Sequence, residues 1–238
     1  MAVQLRLDKF LADMGIGTRS EIKSWIRKGR VKVNNIVVKK PETKVTLDDD
    51  IYFDERKVSY QKLVYYMLHK PAGVISATRD NFSQTVLDLI TDKKRKDLFP
   101  VGRLDKDTEG LLLITNDGEL AHQLLSPKKH VDKVYYAKVK GVVTEEDQRA
   151  FQEGVLIEDN YRTLPAQLTI LKSDSISEIK LTIQEGKFHQ VKRMFLAVGK
   201  EVIYLKRLSM GPLKLDEQLQ PGEYRELTEN EVLQLKNR

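Results

Sequence analysis

Four consecutive aliphatic residues, Leu111 to Ile114, stand between Gly110 and the turn-forming run Asn116, Asp117 and Gly118. So short an apolar run, stopped at both ends by chain-reversing residues, predicts a strand over Leu111 to Thr115 that is buried on both faces. The fold must therefore cover a sheet from two sides. Directly ahead of this strand the chain places Arg103, Asp105, Lys106, Asp107 and Glu109. A purely structural loop has no need of that set of charges beside a buried strand. The residues alone leave two readings open: a reactive carboxylate presented by the loop, or a solvated turn in which Asp105 caps local amides.

Around this run, short strands and helices alternate irregularly. Strands are predicted at Leu63 to Leu68, Val134 to Val139, Gln167 to Leu171, Glu178 to Gln184 and Val202 to Arg207. Helices are predicted at Glu119 to Leu125, Glu145 to Glu153, Phe188 to Ala197 and Glu229 to Lys236. The pattern is α+β, without a fixed-period repeat or a Gly-rich phosphate loop. In the last quarter, Val191, Met194, Phe195 and Val198 form the core face of a basic helix that carries Lys192 and Arg193.

The first sixty residues read as a separate module. Leu7, Phe10, Leu11 and Met14 share one helix face, and Gly15 and Gly17 end that helix. Thr18 and Glu21 form a capping-box pattern for a second helix, with Ile22, Trp25 and Ile26 as its apolar stripe and Gly29 as its stop. Val31, Val33, Val37 and Val38 around Asn34 and Asn35 read as a hairpin, and Ile51 to Phe53 as a further strand. The expected division is residues 1–58 for this module, 59–62 for a linker and 63–238 for the second domain.

Charge separates along the same lines. From Arg19 to Lys44 nine basic residues face two acidic ones, a local +7 within a chain whose net charge is +6. The cluster includes Arg19, Lys23, Arg27, Lys28 and Arg30. A second, from Lys187 to Arg207, has six basic residues against Glu201, +5. Two basic surfaces suit a polyanionic partner, although either run alone is compatible with a solvated helix face. With no cysteine, the chain makes no disulfide, thiolate zinc site or cysteine nucleophile. His69, His122, His130 and His189 lack metal-ligand spacing, so no metal is expected. No apolar run approaches the ~20 residues that cross a bilayer, and the N-terminus carries charge by its sixth residue. The expectation is a soluble, cytoplasmic, monomeric protein without membrane association.

RLDKFLADMGIGTRSEIKSWIRKGRVKVNN resembles the S4 (αL-like) RNA-binding domain, and GRLDKDTEGLLLITNDG resembles the catalytic segment of the RsuA-type RNA pseudouridine synthases. HQLLSPKKHVDKVYYAKV, EGKFHQVKRMFLAVG and PGEYRELTENE resemble further segments of that family in the family's order. The resemblance implies a small S4 domain joined to a larger catalytic domain with a mixed or antiparallel sheet. It also implies that Asp105 is the reacting carboxylate, that Tyr135 stacks on the flipped uracil, and that Lys192 or Arg193 keeps Asp105 charged. Read as residues, a Tyr in the alternating VYYAKV strand is more often core, so the role of Tyr135 rests on the resemblance, and the alternative for Lys192 and for Arg193 is an RNA phosphate contact. Arg103, Lys187, His189 and Gln190 join the basic helix residues as expected RNA contacts. Phe188 and Lys187 stand where the family commonly has Tyr and Arg, and the Lys loses bidentate phosphate geometry.

Isomerising uridine breaks the N-glycosidic bond, turns the base, joins C5 to C1′ and releases the C5 proton without net redox change, so no cofactor is expected. Whether the carboxylate adds to sugar or base, or removes the 2′ proton, stays open; in each case it must start ionised. The SPKKHVDKVYY segment and an end at Arg238 without a long basic tail favour small-subunit ribosomal RNA as the partner. The alternatives are a large-subunit or transfer RNA target, or a silent S4-type assembly factor.

Overall fold

The computed structural model describes residues 4–237. The chain forms two compact units. One comprises the residues up to Val64 together with Thr91–Leu98, the other Tyr65–Ile90 and Phe99–Arg238.

In the first unit, helices α1 (Leu7–Asp13) and α2 (Arg19–Arg27) bury the aliphatic stripes that their spacing predicts. Thr18 and Glu21 close the capping box: the Thr18 amide donates to Glu21 Oε2 at 2.7 Å and the Glu21 amide to Thr18 Oγ1 at 3.3 Å. Val31–Val33 and Ile36–Val37 pair around Asn34 and Asn35, both at positive φ as a tight hairpin turn requires. The core joins Leu7, Phe10, Leu11, Ile22, Ile26, Val31, Val45 and Ile51. The predicted strand at Ile51 to Phe53 forms and gains a partner, and one expectation needs correction. Asp54 and Glu55 turn a second hairpin, pairing Ile51–Phe53 with Arg56–Lys57. Residues 59–62 are not a linker: Tyr60 packs against Phe10 with centroids 5.0 Å apart, donates to Asp13 at 3.2 Å and lies beneath the Arg95 guanidinium. An aromatic that closes a core holds its segment inside the module.

The second unit is built on one mixed sheet. Its main path is β1 (Tyr65–Lys70), β2 (Glu109–Thr115), β3 (Lys133–Lys140), β4 (Gln167–Lys172), β5 (Ile176–Ile183), β6 (Glu201–Met210) and β7 (Tyr224–Glu226), in the order β4-β5-β3-β6-β2-β1-β7, and the short strands Phe99–Pro100 and Leu213–Lys214 add to β2 and β6. All neighbours run antiparallel except β6 and β2, which meet in parallel at Lys206↔Glu109 and Arg207↔Gly110. Leu111 to Ile114 are completely buried in β2, as the apolar run predicts. At the parallel junction Gly110 has φ +104°, and a Cβ there would lie 2.2 Å from the Arg207 carbonyl oxygen, so only glycine lets these strands approach.

Helices α3 (Gly118–Leu125), α4 (Glu145–Glu153), α5 (Gln190–Ala197) and α6 (Glu229–Lys236) complete this unit. Asp117 caps α3 through the Leu120 amide (3.0 Å) and accepts the Tyr65 hydroxyl (2.7 Å), fixing the turn that leaves β2. Helix α5 starts two residues later than its periodicity suggests because His189 takes a left-handed φ of 47°. No helix among the described residues is long and apolar enough to cross a membrane.

Candidate active site

The loop entering β2 and the turn entering α5 converge on Asp105. Lys192 Nζ lies 3.3 Å from Asp105 Oδ2, and His189 Nε2 lies 3.6 Å from Asp105 Oδ1. The Asp105 side chain keeps 27% of its exposure, so a molecule in the adjoining cleft can reach the carboxylate. That cleft encloses about 940 Å³, with Asp105, Arg103, Lys128, His130, Lys187 and Phe188 on its wall. Behind Asp105 a smaller recess of about 60 Å³ is lined by Tyr135, Leu205 and Lys192. Tyr135 on β3 is 7% exposed and lines the recess.

Lys192 is shared, since its ammonium also donates to Asp107 at 2.6 Å. Burial pushes the Asp107 carboxyl up, but the Lys192 hydrogen bond and charge more than reverse this and leave it below the ordinary value. One cation thus holds two loop carboxylates together, a geometry that keeps Asp105 next to a positive charge.

The loop itself is pinned from below by Lys70, the last residue of β1 and completely buried. Its ammonium donates to the carbonyls of Thr108 (2.8 Å), Pro71 (3.0 Å) and Lys106 (3.3 Å). Burial pulls the Lys70 pKa from 10.5 down to about 8, against the opposing pull of Asp107, Asp105 and Glu109. From above, Ser76 Oγ donates to the Leu104 carbonyl (2.8 Å) and accepts the Leu104 amide (3.0 Å). The sequence places Lys70 just past the predicted strand Leu63 to Leu68, beside the turn that Pro71 and Gly73 mark. A lone lysine carries no signal of burial; the consecutive apolar residues ahead of it in β1 were the available clue.

The remaining expected site residues divide. Arg103 and Lys187 are exposed on the cleft wall, with Lys187 Nζ 4.7 Å from the Tyr161 ring centroid. His189 stacks on Phe188 at 3.8 Å and faces Asp105. Arg193 is not brought to Asp105: its guanidinium donates to the Glu158 carbonyl at 2.7 Å, because the next helical position points about 100° away from Lys192. Gln190, expected on RNA, is 4% exposed; its side chain accepts the Lys187 amide (2.9 Å) and donates to buried Glu185 (2.7 Å), shaping the turn into α5. In the first unit Arg19, Arg27 and Lys28 are exposed and Lys23 is half-buried on α2, while Arg30 is committed to Asp54 and lies over Trp25 and Phe53.

Residues 64–197 match the RNA pseudouridylate synthase family, which covers more than half of the chain. The chain belongs to that family. Residues 5–51 match the S4 domain, so the enzyme is an RNA pseudouridine synthase with an N-terminal S4 module, as the RsuA-type resemblance implied. It is 51% identical over 231 residues to an uncharacterized RNA pseudouridine synthase, YtzG, of Bacillus subtilis, covering 96% of this chain and 97% of that one. It is 42% identical to ribosomal small subunit pseudouridine synthase A of Vibrio vulnificus, over 96% of this chain and 98% of that one. It is also 43% identical to ribosomal large subunit pseudouridine synthase B of Bacillus subtilis, over 97% and 95%.

Proposed function

We propose that this pseudouridine synthase converts a single uridine of small-subunit ribosomal RNA during assembly, and that Asp105 is its reacting carboxylate. The observation that carries the second claim is the Lys192–Asp105–His189 arrangement at the mouth of an open cleft. Each route to glycosidic bond cleavage starts from the carboxylate anion, and the Lys192 ammonium 3.3 Å away supplies its counter-charge. Tyr135 stacks on the extruded uracil while it turns to present C5 to C1′, and its phenol is the candidate acceptor of the C5 proton. Arg103 and Lys187 hold phosphates at the cleft wall, and α2 of the S4 module binds backbone elsewhere on the same RNA. Asp105, Tyr135 and Lys192 need no organic cofactor or metal for these steps.

Flipping a base costs a few kcal/mol of unstacking whichever uridine is taken, so selection must come from the surrounding RNA fold. The SPKKHVDKVYY segment favours the small-subunit RNA; similarities of 42% and 43% to relatives named for different subunits do not rank the two targets. Mapping pseudouridines in ribosomal and transfer RNA from cells lacking the gene tests the target. Loss of one pseudouridine in small-subunit RNA is expected, restored by purified enzyme better on an assembling particle than on mature subunits. Loss in large-subunit or transfer RNA, or an unchanged map, would overturn the assignment.

A further inference from the structure

The loop from Ile75 to Thr85 holds a phenylalanine out in solvent. Phe82 is 98% exposed, more than any other large hydrophobic side chain among the described residues. A ring so placed forgoes burial, and a slack loop would let it fold back onto the surface. This loop is built to prevent that. Asp80 Oδ1 accepts the amides of Phe82 (2.8 Å) and Ser83 (2.7 Å), the side-chain-to-backbone turn that fixes the tip. The Ile75 amide donates to the Gln84 carbonyl (3.1 Å) and the Val86 amide to the Ile75 carbonyl (3.0 Å), closing the base. Ser76 fastens that base to Leu104, the neighbour of Asp105, through both a donated and an accepted hydrogen bond. Ile75, Ser76 and Ala77 line the same cleft as Asp105. The Lys106 cation is close enough to act on the Asp80 carboxyl, which sits below its ordinary value mainly through the Phe82 and Ser83 amides.

We propose that Phe82 is an RNA-stacking residue that packs its ring against an unpaired base flanking the target uridine, at the rim of the cleft. The inference rests on the reading that the uridine reacts at Asp105. An extruded uridine leaves its neighbours with an uncovered π-face, and an aromatic ring on a loop tied to the catalytic loop replaces the lost stacking partner. Arg79, three residues before it, supplies the accompanying positive charge. A protein contact would need only an apolar side chain, whereas base stacking needs a flat ring, and this difference makes the assignment testable.

The test uses the full-length enzyme and protein-free ribosomal RNA extracted from cells lacking the gene. Wild type, Phe82→Ala, Phe82→Leu and Phe82→Trp are compared for RNA affinity by filter retention and for single-turnover pseudouridine formation. Phe82→Ala is expected to weaken binding about 5- to 150-fold, the worth of one base-on-aromatic stack, without changing the slope of log affinity against log salt. Phe82→Trp should bind like wild type and Phe82→Leu like the alanine variant. Arg79→Ala should instead flatten the salt slope by about 0.7 to 0.9. Affinity of Phe82→Ala within twofold of wild type, or full rescue by leucine, would overturn the proposal. Asp105→Asn, run alongside, keeps the two claims apart: its turnover judges the reactive carboxylate, whereas the Phe82 series is judged on affinity.

Discussion

Replacing Lys70 by methionine separates what this residue does for the fold from what it does for the site. In the wild type its ammonium satisfies three carbonyls, of which Lys106 O also accepts the Gly73 amide at 2.7 Å. Lys70→Met therefore leaves the buried Thr108 carbonyl and the half-buried Pro71 carbonyl without this donor, at about 1–3 kcal/mol for the first and less for the second. Against this, a pKa held at about 8 instead of 10.5 marks a cost on the order of 3 kcal/mol for burying the charge, which methionine does not bear. The two nearly cancel, so stability at pH 7 should change by no more than about 3 kcal/mol in either direction. The sign of the pH dependence is fixed as well. Between about pH 8 and 10.5 the folded chain carries fewer protons at Lys70 than the unfolded one, so wild type gains stability from this residue as pH rises through that window. The methionine variant lacks the gain. Activity should behave differently, because the loop carrying Asp105 loses its pin from below, and a displacement of about 1 Å can cost about 100-fold in rate. Thermal unfolding at pH 7 and pH 9.5, with single-turnover conversion of ribosomal RNA from cells lacking the gene, reads both effects. A variant that turns over within threefold of wild type would refute the positioning role.

Tyr135→Phe retains the stacking ring and loses the hydroxyl. If the phenol accepts the C5 proton, tritium at uracil C5 should be retained in a single turnover, and normal release would remove Tyr135 from that step. Neutralising Arg19, Lys23 and Arg27 together should weaken binding to all RNAs alike and lower the salt slope by roughly two, with turnover at saturating RNA intact. Loss of saturated turnover with affinity unchanged would contradict the division between docking module and catalytic unit.

Local regularities made much of this fold legible. The capping box at Thr18, the Asn34–Asn35 turn and the buried run at Leu111–Ile114 each specify structure within a few residues, and helices α4 and α6 span the expected residues. What escaped depends on geometry that residue spacing does not report. Tyr60 reads as part of a polar stretch until Phe10 and Asp13 are placed beside it. The choice between Lys192 and Arg193 turns on helix phase set by a left-handed residue at His189, which periodicity does not report. Gln190 looked like an RNA contact because its burial comes from Glu185 and the turn before α5. The proposal for Asp105 draws on the run of charged residues around it and the family resemblance, since a carboxylate in a loop has many uses.

On our proposal, the carboxylate held between Lys192 and His189 is the reacting group. Asp105→Asn keeps the size of the side chain and can neither attack nor act as a base. Release of tritium from C5-labelled uridine in ribosomal RNA of the deletion strain, measured with enzyme in excess, tests this most directly. No release above background, with RNA affinity within threefold of wild type, is the predicted result, and release at a rate within tenfold of wild type would contradict it.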